Sequence, residues 1–187
     1  MTLLHMTDLT PVLAFRWSPR SFDPVAELPR AEAATLLEAA RWAPSVGNRQ
    51  PWRFALGHRD DQTFKRILVN LAPAEQRWAG RAGALVLGGY RRTEQAFAAY
   101  DLGQAVAHLT VQATARGLHV RQVTDFDRAG LIADLDLPAD VRPYVVVAVG
   151  QLGDPLSLPA DLVADETALR HRRPLSELVL SCGEIVI

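Results

Sequence analysis

The sequence predicts a protein of the α+β or α/β class, a central sheet with helices packed on it. Segments of helical periodicity alternate with short, β-branched or wholly apolar runs along most of the chain. At 187 residues, 49% hydrophobic and 22% charged, the chain has the composition of one globular domain with room for its own core. Residues 1–187 therefore read as a single domain, of which about 153–187 stands apart in composition.

The elements follow in order. From Pro29 to Trp42 the apolar positions Ala33, Leu36, Leu37, Ala40 and Ala43 make a helical stripe, with Glu32, Glu38 and Arg41 on the other side. Trp52 to Leu56 reads as a strand, and Gln62 to Leu71 as a helix carrying Phe64, Ile67, Leu68 and Leu71. Ala84 to Gly89 is apolar throughout, as expected of a strand buried on both faces. The longest helix is expected from Glu94 to Arg116, ending at Gly117, a natural residue for the left-handed C′ position. His119 to Thr124 is a third strand, Asp127 to about Leu135 a short helix, and Tyr144 to Gly150 the clearest strand of all. No strong helix pattern returns after that. Residues 153–187 read as an arm lying on another surface, most simply a second copy of the chain. Trp42 and Trp52 are expected in the core. Trp78 falls in a loop-like stretch, Glu75 to Gly80, and is a candidate lid over a ligand.

One segment stops a helix, turns and starts a strand within ten residues: Ala43-Pro44-Ser45-Val46-Gly47-Asn48-Arg49-Gln50-Pro51-Trp52. Pro44 cannot continue the helix and biases Ala43 away from it. Gly47 permits a positive φ. Asn48 and Gln50, two apart on extended backbone, should point the same way, each with one acceptor and two donors. The set reads as a binding loop for a flat ligand with polar edges.

Two basic clusters accompany it. Arg16-Trp17-Ser18-Pro19-Arg20-Ser21-Phe22 places two guanidiniums four apart with a hydroxyl between them, and Arg170-His171-Arg172-Arg173-Pro174 adds three more. The planar guanidinium fork suits a phosphate; a solvated basic surface is the plain alternative. The chain has neither a G-x-G-x-x-G nor a Walker A loop, so a phosphate-bearing cofactor would be held by side chains.

These residues resemble the FMN-dependent nitroreductase family. The match comprises R-x-S-x-R-x-F (Arg16 to Phe22), A-P-S-x-x-N-x-Q-P-W (Ala43 to Trp52), the helix entry D-x-G-x-A (Asp101, Gly103, Ala105) running on to Ala115-Arg116-Gly117-Leu118, the V-V-A-V-G strand and the R-x-R-x-P tail (Arg170, Arg172, Pro174). It extends from about residue 13 to residue 179, in the family's order. The resemblance implies a nitroreductase-like three-layer α+β fold, a central mixed or antiparallel sheet flanked by helices, with an extended C-terminal arm packing on the partner subunit. It also implies a homodimer with FMN at the interface. Arg16, Ser18 and Arg20, with Trp17 between them, would meet the phosphate and ring edge. Pro44, Ser45, Asn48 and Gln50 would lie along the isoalloxazine and ribityl, some from the partner, and Arg170 and Arg172 would meet the phosphate.

Two positions depart from the family pattern. Thr124-Asp125 stands where a Gly-Gly or Glu-Gly pair usually precedes the Phe-Asp that opens the short helix. A backbone contact to the flavin stays available there, and a carboxylate is added beside the ring. His108 stands where the family often has asparagine; it is either an ordinary helix residue meeting a partner or a donor facing the substrate.

The activity this resemblance implies is ping-pong hydride transfer from NADH or NADPH through bound FMN to a small electron-poor acceptor, a nitroaromatic or a quinone, with no catalytic side chain of the protein's own. One rival is the flavin-consuming enzyme that makes the lower ligand of cobalamin, which shares the A-P-S-V-G turn. That group carries an aspartate where this chain has Ser18, which favours the reductase. A non-catalytic flavin-binding module and a flavin-free phosphate-binding scaffold are the others. A net charge of −1 gives no reason to expect nucleic acid or a membrane as partner. The single Cys182 excludes an internal disulfide and a cysteine-cluster metal site, and no metal is expected. With neither a signal peptide nor a membrane span in view, the expected location is cytoplasmic.

Overall fold

The computed structural model describes residues 9–92 and 96–180. Cys182, and the expected start of the long helix at Glu94, lie outside the described residues.

Four strands form one antiparallel sheet in the order β1-β2-β4-β3. They are β1 Trp52–His58, β2 Ala84–Arg91, β3 His119–Val123 and β4 Val141–Gly150. The two central strands are the most apolar, and alternation sorts their side chains between two cores. Ala84, Val86, Val145, Val147 and Val149 face one core, while Leu85, Leu87, Val146 and Ala148 face the other. A register shift between Gly88 and Gly89 interrupts the β2–β4 ladder near its end.

Helix α1 (Pro11–Ala14) is a single turn. The first core is roofed by α2 (Arg30–Arg41) and α5 (Ala98–Ala115). The two run antiparallel, with Arg116 paired to Glu32 at one end and Val46 bonded to Asp101 at the other. Helix α5 buries Leu102, Val106 and Leu109, each contributing roughly 1.5–3 kcal/mol of burial. It ends as expected: Gly117 has φ +72°, Leu118 N–H donates to the Ala113 carbonyl at 2.8 Å and Gly117 N–H to that of Thr114 at 3.0 Å, a Schellman closure.

The second core lies beneath α3 (Gln62–Val69), α4 (Pro73–Ala79) and α6 (Arg128–Asp134). The resulting order, helices, sheet, helices, is the three-layer α+β arrangement the family resemblance implies. Helix α3 approaches β1 very closely, so that a Cβ on Gly57 would fall 2.2 Å from the Phe64 nitrogen.

Several local expectations are corrected. Glu75 to Gly80 is not a loop: α4 opens with Pro73 at its first position, where a missing N–H costs nothing. Trp78 is 1% exposed and stacked on Phe22 with ring centroids 6.1 Å apart, which makes it a core residue of this fold and not part of an exposed loop. Trp42 is 72% exposed: it is the C-cap residue of α2, and its indole N–H turns to Glu38. The C-terminal stretch contains two helices, α7 (Ala160–Thr167) and α8 (Leu175–Leu178). Leu162 and Val163 of α7 pack against the second core, while every residue from Thr167 to Leu180 is exposed.

Candidate functional site

The two basic clusters, about 150 residues apart in sequence, meet in the fold. Arg170 donates from Nη2 to the Ala14 carbonyl at 2.6 Å and from Nη1 to that of Arg16. Burial lowers the affinity of the Arg16 guanidinium for its proton, and the charges of Arg170 and Arg172 lower it further. Among the described residues no carboxylate pairs with Arg16, Arg170 or Arg172. Like charges so arranged are favourable only once an anion joins them. Arg16 Nη1 also reaches the Ser18 hydroxyl at 3.2 Å. The Arg20 guanidinium lies 3.8 Å from Asp165.

The cluster rests on β3. The Trp17 ring meets His119 edge-on with centroids 6.2 Å apart. His119 Nδ1 is buried without a partner, and burial pushes the imidazole toward its neutral form. Arg121 donates to the Ser18 carbonyl at 2.8 Å and lies over the Trp78 ring at 5.4 Å. Neither Arg121 nor Glu166, whose carboxylate collects N–H groups from Arg20 and Ser21, belongs to a motif visible in the sequence. Both act through partners remote in the chain, and nothing local announces them.

The amide turn is folded differently from the extended segment the sequence suggests. Val46–Asn48 is a 3-10 turn, and Gly47, Asn48 and Gln50 have φ of +60°, +55° and +51°. Asparagine tolerates this region because its short side chain hydrogen-bonds locally; here Gln50 Nε2 donates to Asn48 Oδ1 at 3.0 Å and to the Asn48 carbonyl at 3.2 Å. The two amides do meet, but the glutamine donors are spent on the asparagine. Ser45 Oγ closes the loop by accepting Gln50 N–H at 3.1 Å. The buried carboxylate of Asp101 accepts Val46 N–H at 3.2 and 3.3 Å. It sits in the first turn of α5, where the helix dipole favours a negative charge.

One chain keeps these two halves apart. The turn is fastened to the start of α5, whereas Trp17 sits on His119, just past the end of that helix. An 18-residue helix is about 27 Å long at 1.5 Å per residue. The sheet agrees: Trp52 pairs with Tyr90, opposite Arg142 at the beginning of β4, while His119 pairs with Gly150 at its end.

The remaining candidates distribute as follows. Thr124 and Asp125 are exposed directly after β3, at the end of that strand away from His119, and the Asp125 carbonyl accepts Ala72 N–H at 3.1 Å. His108 lines a groove of about 490 Å³ between α2 and α5, with Thr35, Glu38, Trp42, Val111 and Gln112. Arg41 and the Trp42 Nε1–H both donate to Glu38 there, which holds its carboxyl down at about 2. No helix among the described residues is long and apolar enough to cross a membrane.

Comparison with known proteins agrees with this architecture. Residues 13–68, which span the first arginine motif, the turn and β1, match the model of the nitroreductase family. A solved structure of an oxidoreductase containing FMN is 31% identical, superposes with a TM-score of 0.87, and is covered over 93% of its length by 95% of this chain. An uncharacterized 15.4 kDa protein of Mycolicibacterium smegmatis is 37% identical over 142 residues, 68% of this chain and 90% of that protein. "Putative NAD(P)H nitroreductase YdgI" of Bacillus subtilis is 27% identical over 151 residues, 80% of this chain and 68% of that one. The chain belongs to the nitroreductase family of oxidoreductases.

Proposed function

We propose that the protein is a homodimeric, FMN-dependent oxidoreductase that passes electrons from NADH or NADPH to nitroaromatics, quinones or similar acceptors. The observation that carries this reading is the separation just described. The arginine cluster and the amide turn lie at opposite ends of α5, and a two-fold axis crossing that helix would bring the turn of one copy to the arginines of the other. Exposed Phe15, directly after α1, and Leu169, Leu175 and Leu180 of the arm are the apolar surface such a pairing would cover. The partner subunit is the surface on which the arm would lie.

The residues fit the cofactor. Arg16, Arg170 and Arg172, which pair with no carboxylate among the described residues, would offer positive charge to a phosphate dianion, joined by Ser18 and Arg20, with Trp17 as the apolar wall. Pro44, Ser45, Asn48 and Gln50 of the other copy offer a stiff, polar-edged surface to a flat ring. Thr124 and Asp125 would present backbone to the same ring, with the Asp125 carboxylate opposing extra negative charge on it. When bound, FMN supplies the hydride chemistry. This chain would bind the cofactor, orient it and shape the space over its exposed face, where donor and acceptor take turns. His108, in a groove beside Trp42, would lie near that space. The name of YdgI supports a pyridine-nucleotide donor.

Visible spectra of the FMN-loaded protein, recorded before and after anaerobic addition of NADPH and then NADH, test the reading. Bleaching by either donor supports it. Persistent bands with both would favour a flavin-binding module or the flavin-consuming alternative, and a protein that takes up no FMN would refute it.

A further inference from the structure

We propose that Glu166 is a positioning residue for the cofactor phosphate, acting through the backbone of Arg20 and Ser21; the inference rests on the FMN reading above. Glu166 is 7% exposed and Ser21 fully buried. The carboxylate accepts Arg20 N–H at 3.0 and 2.9 Å and Ser21 N–H at 2.9 Å, and the Ser21 hydroxyl donates to it as well. These contacts span 145 and 146 positions of sequence.

The choice of partner atoms is informative. A buried carboxylate beside an arginine would ordinarily take the guanidinium in a bidentate pair. Here the donors it receives are two backbone N–H groups and a hydroxyl, and among the described residues the carboxylate paired with the Arg20 guanidinium is Asp165 at 3.8 Å, the two side chains being 19% and 70% exposed. A contact that long, to a carboxylate so open to solvent, is weak, so the Arg20 guanidinium is not committed to a bidentate carboxylate pair and keeps donors for a phosphate.

Glu166 is itself anchored. At the start of α7, Asp161 forms a two-pronged ion pair with Arg77 of α4 at 2.6 and 2.7 Å, and Leu162 and Val163 pack on the second core. From the other side Arg121 holds the Ser18 carbonyl. The Arg16–Ser21 segment is thus gripped at two carbonyls by the cations Arg170 and Arg121 and at two N–H groups by an anion. Each grip suits the polarity of the group it holds.

The test is the affinity of wild-type protein, Glu166→Gln and Ser21→Ala for FMN and for riboflavin, which lacks the phosphate, read by quenching of flavin fluorescence. Glutamine keeps the size but turns an amide NH2 toward donors. Glu166→Gln is expected to weaken FMN by about tenfold or more, the worth of one charge-assisted hydrogen bond, and to leave riboflavin nearly unchanged. Ser21→Ala should shift the FMN-to-riboflavin preference the same way by a few-fold, and carries the test if Glu166→Gln does not fold. Equal losses for both ligands, or no loss for either, overturn the inference. If wild-type protein does not prefer FMN, the phosphate reading of the arginine cluster falls and this inference falls with it. If it does and the variants keep that preference, only the role of Glu166 falls.

Discussion

The Asp101 carboxylate, 3% exposed, accepts the backbone N–H of Val46 and so ties the first turn of the longest helix to the amide turn 55 residues earlier. The motif D-x-G-x-A and the motif A-P-S-x-x-N-x-Q-P-W are therefore two ends of one contact. Asp101→Ala leaves that N–H without its charged acceptor, a loss of about 1.5–3 kcal/mol. Thermal unfolding should fall by several degrees, at about 2–4 °C per kcal/mol for a chain of this size, and FMN affinity should fall with it. An unchanged melt would show that the turn holds itself.

Arg172→Ala removes one guanidinium from the uncompensated cluster. Retention of FMN should weaken by about tenfold to a hundredfold, as expected for a hydrogen bond between ions, while riboflavin binding stays near wild type. Equilibrium dialysis against both ligands reads this directly. Normal flavin content in both Arg172→Ala and Arg20→Ala would contradict the phosphate assignment.

Trp78 tests the difference between core and lid. Its ring stacks on Phe22, carries Arg121 above it, and donates from Nε1 to Glu75 at 2.8 Å. Trp78→Ala should cost about 3–5 kcal/mol of stability, visible in denaturant unfolding. The milder Trp78→Phe should keep the KM for the acceptor at the wild-type value. A changed KM with unchanged stability would restore the lid.

Glu38 supplies a pH signature. Hydrogen bonds from Arg41, then from the Trp42 Nε1–H, hold its carboxyl at about 2, below the 4.5 of an ordinary glutamate. A depressed folded value means the stabilisation is complete above 4.5 and is lost as pH falls through about 2. Trp42 emission, taken as the difference between wild type and Trp42→Phe, should therefore titrate near 2. A midpoint at the ordinary value would mean that the Arg41–Glu38–Trp42 contacts do not persist in solution.

What the sequence discloses is uneven, for physical reasons. The all-apolar strands β2 and β4 and the glycine closing α5 stand out because burial on two faces and a left-handed C′ residue each leave a local mark. The arginine motifs and the turn are equally legible, since they are contiguous. Trp78 escapes because α4 is only seven residues long and too short to display a helical period. Trp42 escapes because a helix cap departs from the stripe before it. Asn48 and Gln50 break the assumption of extended backbone through left-handed conformations, which an asparagine beside Gly47 permits but does not require and a glutamine does not advertise. Glu166 and Arg121 are invisible because their partners lie more than 100 residues away.

A cofactor site that takes its arginines from one copy and its amide turn from another can be tested by mixing two defective proteins. One carries Arg20→Ala with Arg172→Ala, the other Ser45→Ala with Asn48→Ala, and neither alone should retain FMN. After exchange of subunits, mixed dimers hold one site with both halves intact, so FMN binding and NAD(P)H oxidation should return to about a quarter of the wild-type level for equal mixing of a two-fold dimer. No recovery, with mixed dimers demonstrably formed, would contradict a site shared between two copies.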